Sequence, residues 1–282
     1  MASIQHVELL RADGSALQGR LFPNQKALRA LRHAFQKSIA IVAFLAVWEI
    51  APRLGLVEPA FLPPLSTVLA SGWDLVKSGQ LGNHVRASLS RSLLGFVLAI
   101  VHAVPLGLAI GWYRRFAEVV NPLFEALRNT AALALLPVFI LVLGIGESSK
   151  IALVVYSCSW PILLNTITGV RNVDPLLIKS ARTMGLSPFQ LFRKVILPAA
   201  VPTIFVGIRL AGAYSLLVLV AAEMIGAKAG LGYLIIYAQY NFQIPYMYVG
   251  ILSITLIGLL FNQALQLVER RVTRWKAAAE TE

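Results

Sequence analysis

The chain has 282 residues, of which 57% are hydrophobic and 13% charged, and its formal net charge is +12. Soluble domains carry about 45–50% apolar and about 25% charged residues, so this composition cannot cover a water-soluble surface, and it also excludes a disordered chain. A single cysteine, Cys158, excludes a disulfide scaffold, and what remains is an integral membrane protein with no nucleic-acid role for its positive charge.

Residues 1–37 are polar and basic, with Arg11, Arg20, Lys26, Arg29, Arg32 and Lys37. An apolar run follows from Ser38 to about Ala51. The leader is too long for a cleaved signal, and Trp48-Glu49-Ile50-Ala51-Pro52 is a poor cleavage site. A retained first span behind an N-terminal tail is therefore predicted. A bilayer core needs roughly 20 apolar residues in a helix. Ser92 to Tyr113 supplies 22 residues without a formal charge. Asn129 to Gly146 supplies 18, with a start near Val119, and Ile151 to Val170 supplies 20. Ala199 to Ala222 is interrupted only by Arg209. Ala229 to Val268 runs 40 residues without charge, too long for one span. Gln239, Asn241, Gln243 and Pro245 mark a loop there, and the last span starts at Tyr246. The prediction is six spans.

A central arginine costs about 2.5–3.5 kcal/mol on insertion. The eleven Val, Leu, Ile and Phe residues between 200 and 222 more than offset Arg209. With both termini placed inside, 17 of the 25 basic residues fall on the inner face and 6 outside, which supports that orientation. The outer set includes Arg86 and Arg91, read as part of a long outer segment, 52–91.

The connection from Arg171 to Leu197 reads as two short helices joined by a glycine. Asp174 is placed to cap the first, with Pro175 at its first position. Gly185 stands where a helix ends in a left-handed residue. Ser187, Pro188 and Gln190 form a capping-box start for the second, and Pro198 ends it. Such a hairpin is either an amphipathic linker on the headgroups or a docking element for a partner.

At this loop the chain resembles the membrane permeases of ABC importers, which carry Glu-Ala-Ala, three residues, Gly, nine residues, Ile, one residue, Leu-Pro. Here Lys179-Ser180-Ala181, Gly185, Val195 and Leu197-Pro198 stand at those positions. The chain is most similar to the branch for aliphatic sulfonates, taurine, nitrate and bicarbonate. That likeness also rests on Leu62-Pro63-Pro64-Leu65-Ser66, Ala181-Arg182-Thr183-Met184-Gly185, Ala221-Ala222-Glu223-Met224, Gly230-Leu231-Gly232-Tyr233 and Glu269-Arg270-Arg271. The resemblance implies an all-α fold of about six transmembrane helices with a cytoplasmic coupling hairpin, the type I importer permease fold. It implies a bacterial inner-membrane location with residues 1–37 and 269–282 as cytoplasmic tails, a permease domain over 38–268 and a coupling loop at 171–198. It implies a second permease copy, cytoplasmic ATPase subunits that carry ATP and magnesium, and an extracytoplasmic substrate-binding protein. The triplet departs: Lys179 stands where the family has Glu, reversing the charge shown to the ATPase, and Ser180 stands where it has the first Ala.

No cofactor or ATP site is expected in this chain. Gly144-Ile145-Gly146-Glu147-Ser148-Ser149-Lys150 lacks the order of a phosphate loop and reads as a turn between spans. Ionisable or polar residues on spans are path candidates. They are Arg209, Glu223, Asn165, Tyr214, Ser215 and the three-apart pair Glu125 and Arg128. Arg209 and Glu223 are 14 residues apart, about 21 Å along one helix, and cannot pair. Gly107 and Gly111 predict close helix packing, and His102 a packing role. No metal cluster or nucleophile–base pair is expected. The reading is a non-enzymatic importer subunit for a small anion. Its alternatives are the same machine for a pyrimidine vitamin precursor or an aromatic acid, or an ion-coupled secondary carrier. The acidic residues near span ends disfavour the carrier.

Overall fold

The computed structural model describes residues 24–273, with side chains from residue 39 onward. The residues of the two tails beyond these limits lie outside the described part. Every regular element described is helical: α1 (Asn24–Arg53), α2 (Leu65–Lys77), α3 (Gln80–Trp112), α4 (Arg114–Arg128), a 3-10 turn (Ala132–Leu135), α5 (Leu136–Leu143), α6 (Glu147–Arg171), α7 (Pro175–Thr183), α8 (Pro188–Leu191), a π turn (Phe192–Ile196), α9 (Leu197–Gly226), α10 (Leu231–Tyr240) and α11 (Ile244–Val272). The chain divides into two units between Thr67 and Val68.

In the first unit α1 begins at Asn24, inside the segment read as a polar tail. Glu49, near its end, accepts the backbone N–H and the hydroxyl of Ser66, both at 2.9 Å, and pairs with Arg53. The Trp48 indole donates to the Pro63 carbonyl at 3.1 Å. The Leu62–Ser66 motif is thus held to α1 by side chains of the apolar run that precedes it.

In the second unit α6 lies between α3 and α9, and their shared core is made of Phe96, Ala99 and Ala103 from α3, Val154, Cys158 and Ile162 from α6, and Ala211 and Leu219 from α9. The backbones approach closely because the contact residues are small. A Cβ at Gly107 would lie 2.7 Å from the Thr166 Cβ, and one at Gly111 2.7 Å from the Val170 Cβ. These two glycines therefore serve packing within the chain. Four described helices are long and apolar enough to cross a membrane: α3, the continuous run Pro188–Gly226, α6 and α11. A fifth crossing arises if Arg114–Arg128 and Ala132–Leu143, bent by 87°, count as one span. The remaining run of the six, Ser38–Ala51, lies on α1.

Three local expectations need correction. The span expected near 119–146 is broken, not straight. Asn129 Nδ2 donates to the Glu125 carbonyl at 2.8 Å and Thr130 Oγ1 to the Ala126 carbonyl at 3.1 Å. These side chains take up last-turn carbonyls, so α4 stops; Ala131 is extended, and the helix restarts with Pro137 in its first turn. The helix expected from Ser92 begins earlier: α3 starts at Gln80, so Arg91, read as part of the outer segment 52–91, sits within a helix. Pro198 does not end the second hairpin helix. The Leu197 N–H bonds to the Phe192 carbonyl, five residues back, and the chain continues into α9. This wide turn accommodates the N–H that Pro198 lacks, so the helix passes through the proline without a break.

Candidate functional site

Two polar constructions stand out, at opposite ends of the α3–α6–α9 core. The first is the hairpin between α6 and α9. Asp174 accepts from the Leu176 N–H at 2.8 Å, and Pro175 occupies the first turn of α7. At the other end of α7 Gly185 has φ +76°. Its N–H donates to Arg182 O at 3.0 Å, and the Leu186 N–H donates to Ala181 O at 3.3 Å. This is a Schellman stop, in which the left-handed residue and the residue four before it have fixed roles. The motif spacing from Ala181 to Gly185 follows from that geometry: Ala181, whose carbonyl accepts the Leu186 N–H, is buried in the hairpin's core and Gly185 makes the turn. Ser187 and Gln190 then complete a reciprocal capping box.

Val195, Ile196, Leu191 and Ala181 pack against Val170, Ala200 and Ile204, and Phe192 meets Trp112 edge-on at 5.3 Å. Leu197 and Pro198 continue that base into α9. The opposite side is left open. Leu176, Leu177, Met184 and Phe189 are exposed, Phe189 by 71%, beside the exposed Lys179, Ser180, Arg182, Arg193 and Lys194. A hairpin held rigid from within thus presents an apolar and basic surface.

The second construction is centred on Glu223, on α9, which is 0% exposed. Its carboxylate accepts from Ser88 Oγ at 2.7 Å, from Arg91 Nη1 at 2.7 Å and from the Gly232 N–H at 3.0 Å. Arg91, 5% exposed, also donates to Ala229 O at 2.6 Å and makes a two-bond pair with Glu147. Ser88 Oγ accepts from the Leu231 N–H at 2.8 Å, and the Gly230 N–H donates to His84 Nδ1 at 3.1 Å. The network ties α3, the start of α6, the end of α9 and the entry to α10. Gly230 has φ +129°, and a Cβ there would overlap the Glu223 carboxyl group. The Ala-Ala-Glu and Gly-Leu-Gly motifs are therefore two halves of one clamp. Glu223 is fully enclosed, with Ser88, Arg91 and Gly232 bonded to its carboxylate, so it presents no open surface to a path.

The other sequence-read candidates are dispersed. Arg128 Nη2 bonds Glu125 at 2.9 Å. Arg209 finds Glu269 on α11 at 3.1 Å. Ser215 is buried and shares a 3.0 Å bond with Ser92. Asn165 Nδ2 bonds back to Pro161 O at 2.8 Å. Tyr214 is exposed on α9. His102 bridges Leu98 O and Ser159 Oγ. Of the segment Gly144–Lys150 read as a turn, residues 147–150 are the first turn of α6, where Lys150 Nζ and Ser149 Oγ both donate to Gly146 O, at 2.8 and 3.1 Å. Among the described residues no three His, Cys, Asp or Glu side chains gather as a metal site. Ser88, Arg91 and Glu147 were missed as a group. Their signal was Ser88 and Arg91 three apart on one face just before an apolar run.

Residues 103–274 match the family described as binding-protein-dependent transport system inner membrane component. The chain belongs to that family. A Bacillus subtilis permease named for aliphatic sulfonates transport is 34% identical to it over 250 residues, 88% of this chain and 91% of the relative. The taurine transport system permease of Escherichia coli is 33% identical over 240 residues, 83% of this chain and 87% of the relative. The fold is that of the permease in a methionine ABC transporter solved in inward-facing conformations, with TM-score 0.62 over 69% of this chain and 96% of that one, at 20% identity. This permease is therefore a multi-pass inner-membrane protein with the type I importer fold. The hairpin lies within the matched region, as do Glu223 and Gly232; Ser88 and Arg91 precede it.

Proposed function

We propose that this chain is the membrane-spanning subunit of an ATP-driven importer for a small anion such as a sulfonate, taurine or nitrate. The observation that carries the reading is the hairpin. Its Schellman stop and capping box hold a solvent-facing surface of Leu176, Leu177, Met184 and Phe189 rigidly against the ends of α6 and α9. Such a surface transmits force between a partner and the helices, because it cannot move without them. ATP and magnesium belong to two cytoplasmic ATPase subunits docked there, and a second copy of this chain completes the pathway. An extracytoplasmic binding protein delivers the substrate. The basic hairpin faces the cytoplasm with both chain termini, in line with the excess of Lys and Arg on that side. Lys179 and Arg182 face a groove of acidic character on the ATPase, the reverse of what a glutamate at position 179 would require.

The anion is supported by the names of the sulfonate and taurine relatives. The test is co-purification of the tagged chain with its cognate ATPase, and uptake by the assembled complex. Gly185→Pro, which abolishes the N–H bonded to Arg182 and the left-handed turn, is expected to remove ATP-dependent uptake while the chain still inserts. Full uptake by that variant, or transport by a complex without an ATPase, refutes the reading.

A further inference from the structure

The helix α4 divides its residues between two flanks. Arg114, Glu118, Asn121, Glu125 and Arg128 recur every three or four positions and form one polar stripe. Phe116, Val119, Leu123 and Leu127 recur in the same way, and at about 100° per residue they lie on the opposite flank. Arg114 pairs with Glu118 at 3.1 Å and Arg128 with Glu125 at 2.9 Å, so the stripe's charges are matched along its own helix. The stripe stays open all the same: the side chains of Glu118 and Glu125 are 65% and 51% exposed, and Asn121 is exposed. The apolar flank is exposed as well.

α4 climbs along α6 instead of lying across its end. Its first turns share a cavity of about 490 Å³ with Gly111 of α3 and with Arg171, the last residue of α6. Further along, Phe124 meets Trp160 edge-on at 6.0 Å, and the Tyr156 hydroxyl donates to the Leu127 carbonyl at 2.5 Å. Tyr156 and Arg171 are about 22 Å apart along α6, and Arg114 and Leu127 about 20 Å apart along α4, so the two helices run side by side. The 25 residues of α6 span about 37 Å, more than the bilayer core of about 30 Å. Trp160 is near the midpoint of α6, which puts Glu125 near the middle of the membrane. A second cavity of about 490 Å³, with Arg128 and Tyr214 among its lining residues, borders the stripe there.

Charged side chains at such depth face a bundle interior or a water-filled cavity, not acyl chains. Glu118 and Glu125 each accept one ion-pair bond, and a carboxylate has about four acceptor positions. Water is the group small enough to fill the rest along an exposed stripe.

We propose that the polar stripe of α4 lines a water-filled vestibule that enters the membrane from the hairpin end of the bundle and stops near its middle, at Glu125 and Arg128. The apolar flank of α4 faces lipid. The far wall is a second copy of this chain, and the mouth is cytoplasmic; these two points rest on the importer reading given above. The vestibule makes Asn121 the central lining residue, since its side chain is committed to neither ion pair.

The experiment places single cysteines along α4 in the permease with its cognate ATPase and follows their reaction with a membrane-impermeant, charged thiol reagent. Native Cys158 is fully buried, and the unsubstituted chain gives the background. In inside-out vesicles Glu118→Cys, Asn121→Cys and Glu125→Cys are expected to react at least about tenfold faster than Val119→Cys and Leu123→Cys. In right-side-out vesicles all five are expected to stay at background. Asn121→Cys leaves both ion pairs in place, so it decides the matter even where a glutamate variant fails to insert. Equal rates on the two flanks, no reaction at Asn121→Cys, or reaction from the outer side alone overturns the vestibule. ATP with vanadate is expected to slow the reaction at Asn121→Cys. Fast reaction that ATP and vanadate leave unchanged refutes the ATP-driven reading while the vestibule stands.

Discussion

Replacing Glu223 by leucine takes the hub out of the buried network and leaves Arg91 in place. Arg91 is 5% exposed, so its guanidinium cannot turn to water, and Ser88 Oγ and the Gly232 N–H lose their acceptor. Breaking a buried pair by removing one member costs about 3–5 kcal/mol. Glu147 still holds the guanidinium by two bonds, so the low end, about 3 kcal/mol, is expected. At about 1.4 kcal/mol per factor of ten, that is roughly a hundredfold loss in the folded-to-unfolded ratio. It corresponds to a fall in melting temperature of about 6–12 °C for a chain of this length. Arg91→Met should cost a comparable amount, because it strands the Glu223 carboxylate. The double variant Arg91→Met/Glu223→Leu removes both charges, and Glu147, whose side chain is 62% exposed, is left in water. Its loss should fall well short of the sum of the singles, with a coupling of about 1.5 kcal/mol or more. Reversible SDS unfolding in mixed micelles, followed by circular dichroism, measures all three. A double variant whose loss equals the sum of the singles within about 0.5 kcal/mol would refute the claim that these residues act as one unit.

Gly230→Ala puts a methyl group into the Glu223 carboxyl group at a left-handed backbone position, so its melting temperature should fall further than that of Gly79→Ala, where φ is +73° but the space is open; equal shifts would show that backbone strain alone matters. Ser187→Ala removes half of the capping box and should cost about 1 kcal/mol, with a larger loss of coupled ATPase activity than of melting temperature; an unchanged ATPase rate on binding-protein addition would separate the cap from coupling. Arg209→Gln should change stability by less than about 1 kcal/mol, because its pair with Glu269 is partly exposed; a fall as large as that of Glu223→Leu would show that Arg209 is held by more than this pair.

The features read correctly from sequence are local ones. The caps at Asp174 and Ser187 and the stop at Gly185 each depend on side chains and carbonyls within five residues, so residue type and spacing sufficed. The pair Glu125–Arg128 was legible for the same reason, since three residues bring two side chains to one helix face. The turn at Asn129 and Thr130 was legible in principle, but the apolar residues around it masked the backbone-seeking side chains. Pro198 misled because a proline that ends an ideal helix can be absorbed by one wide turn.

Arg91 shows the limit most clearly. In sequence it is one basic residue before an apolar run, and its partners Glu147 and Glu223 stand 56 and 132 positions away. Composition determined that this chain lives in a membrane, because apolar runs of span length are incompatible with a water-soluble surface. Local spacing determined the hairpin, because helix caps are closed by near neighbours. Only tertiary structure decided which buried charges meet and that Glu223 is enclosed in a clamp. Those outcomes depend on how α3, α6 and α9 pack, and that packing places side chains together whatever their distance along the chain.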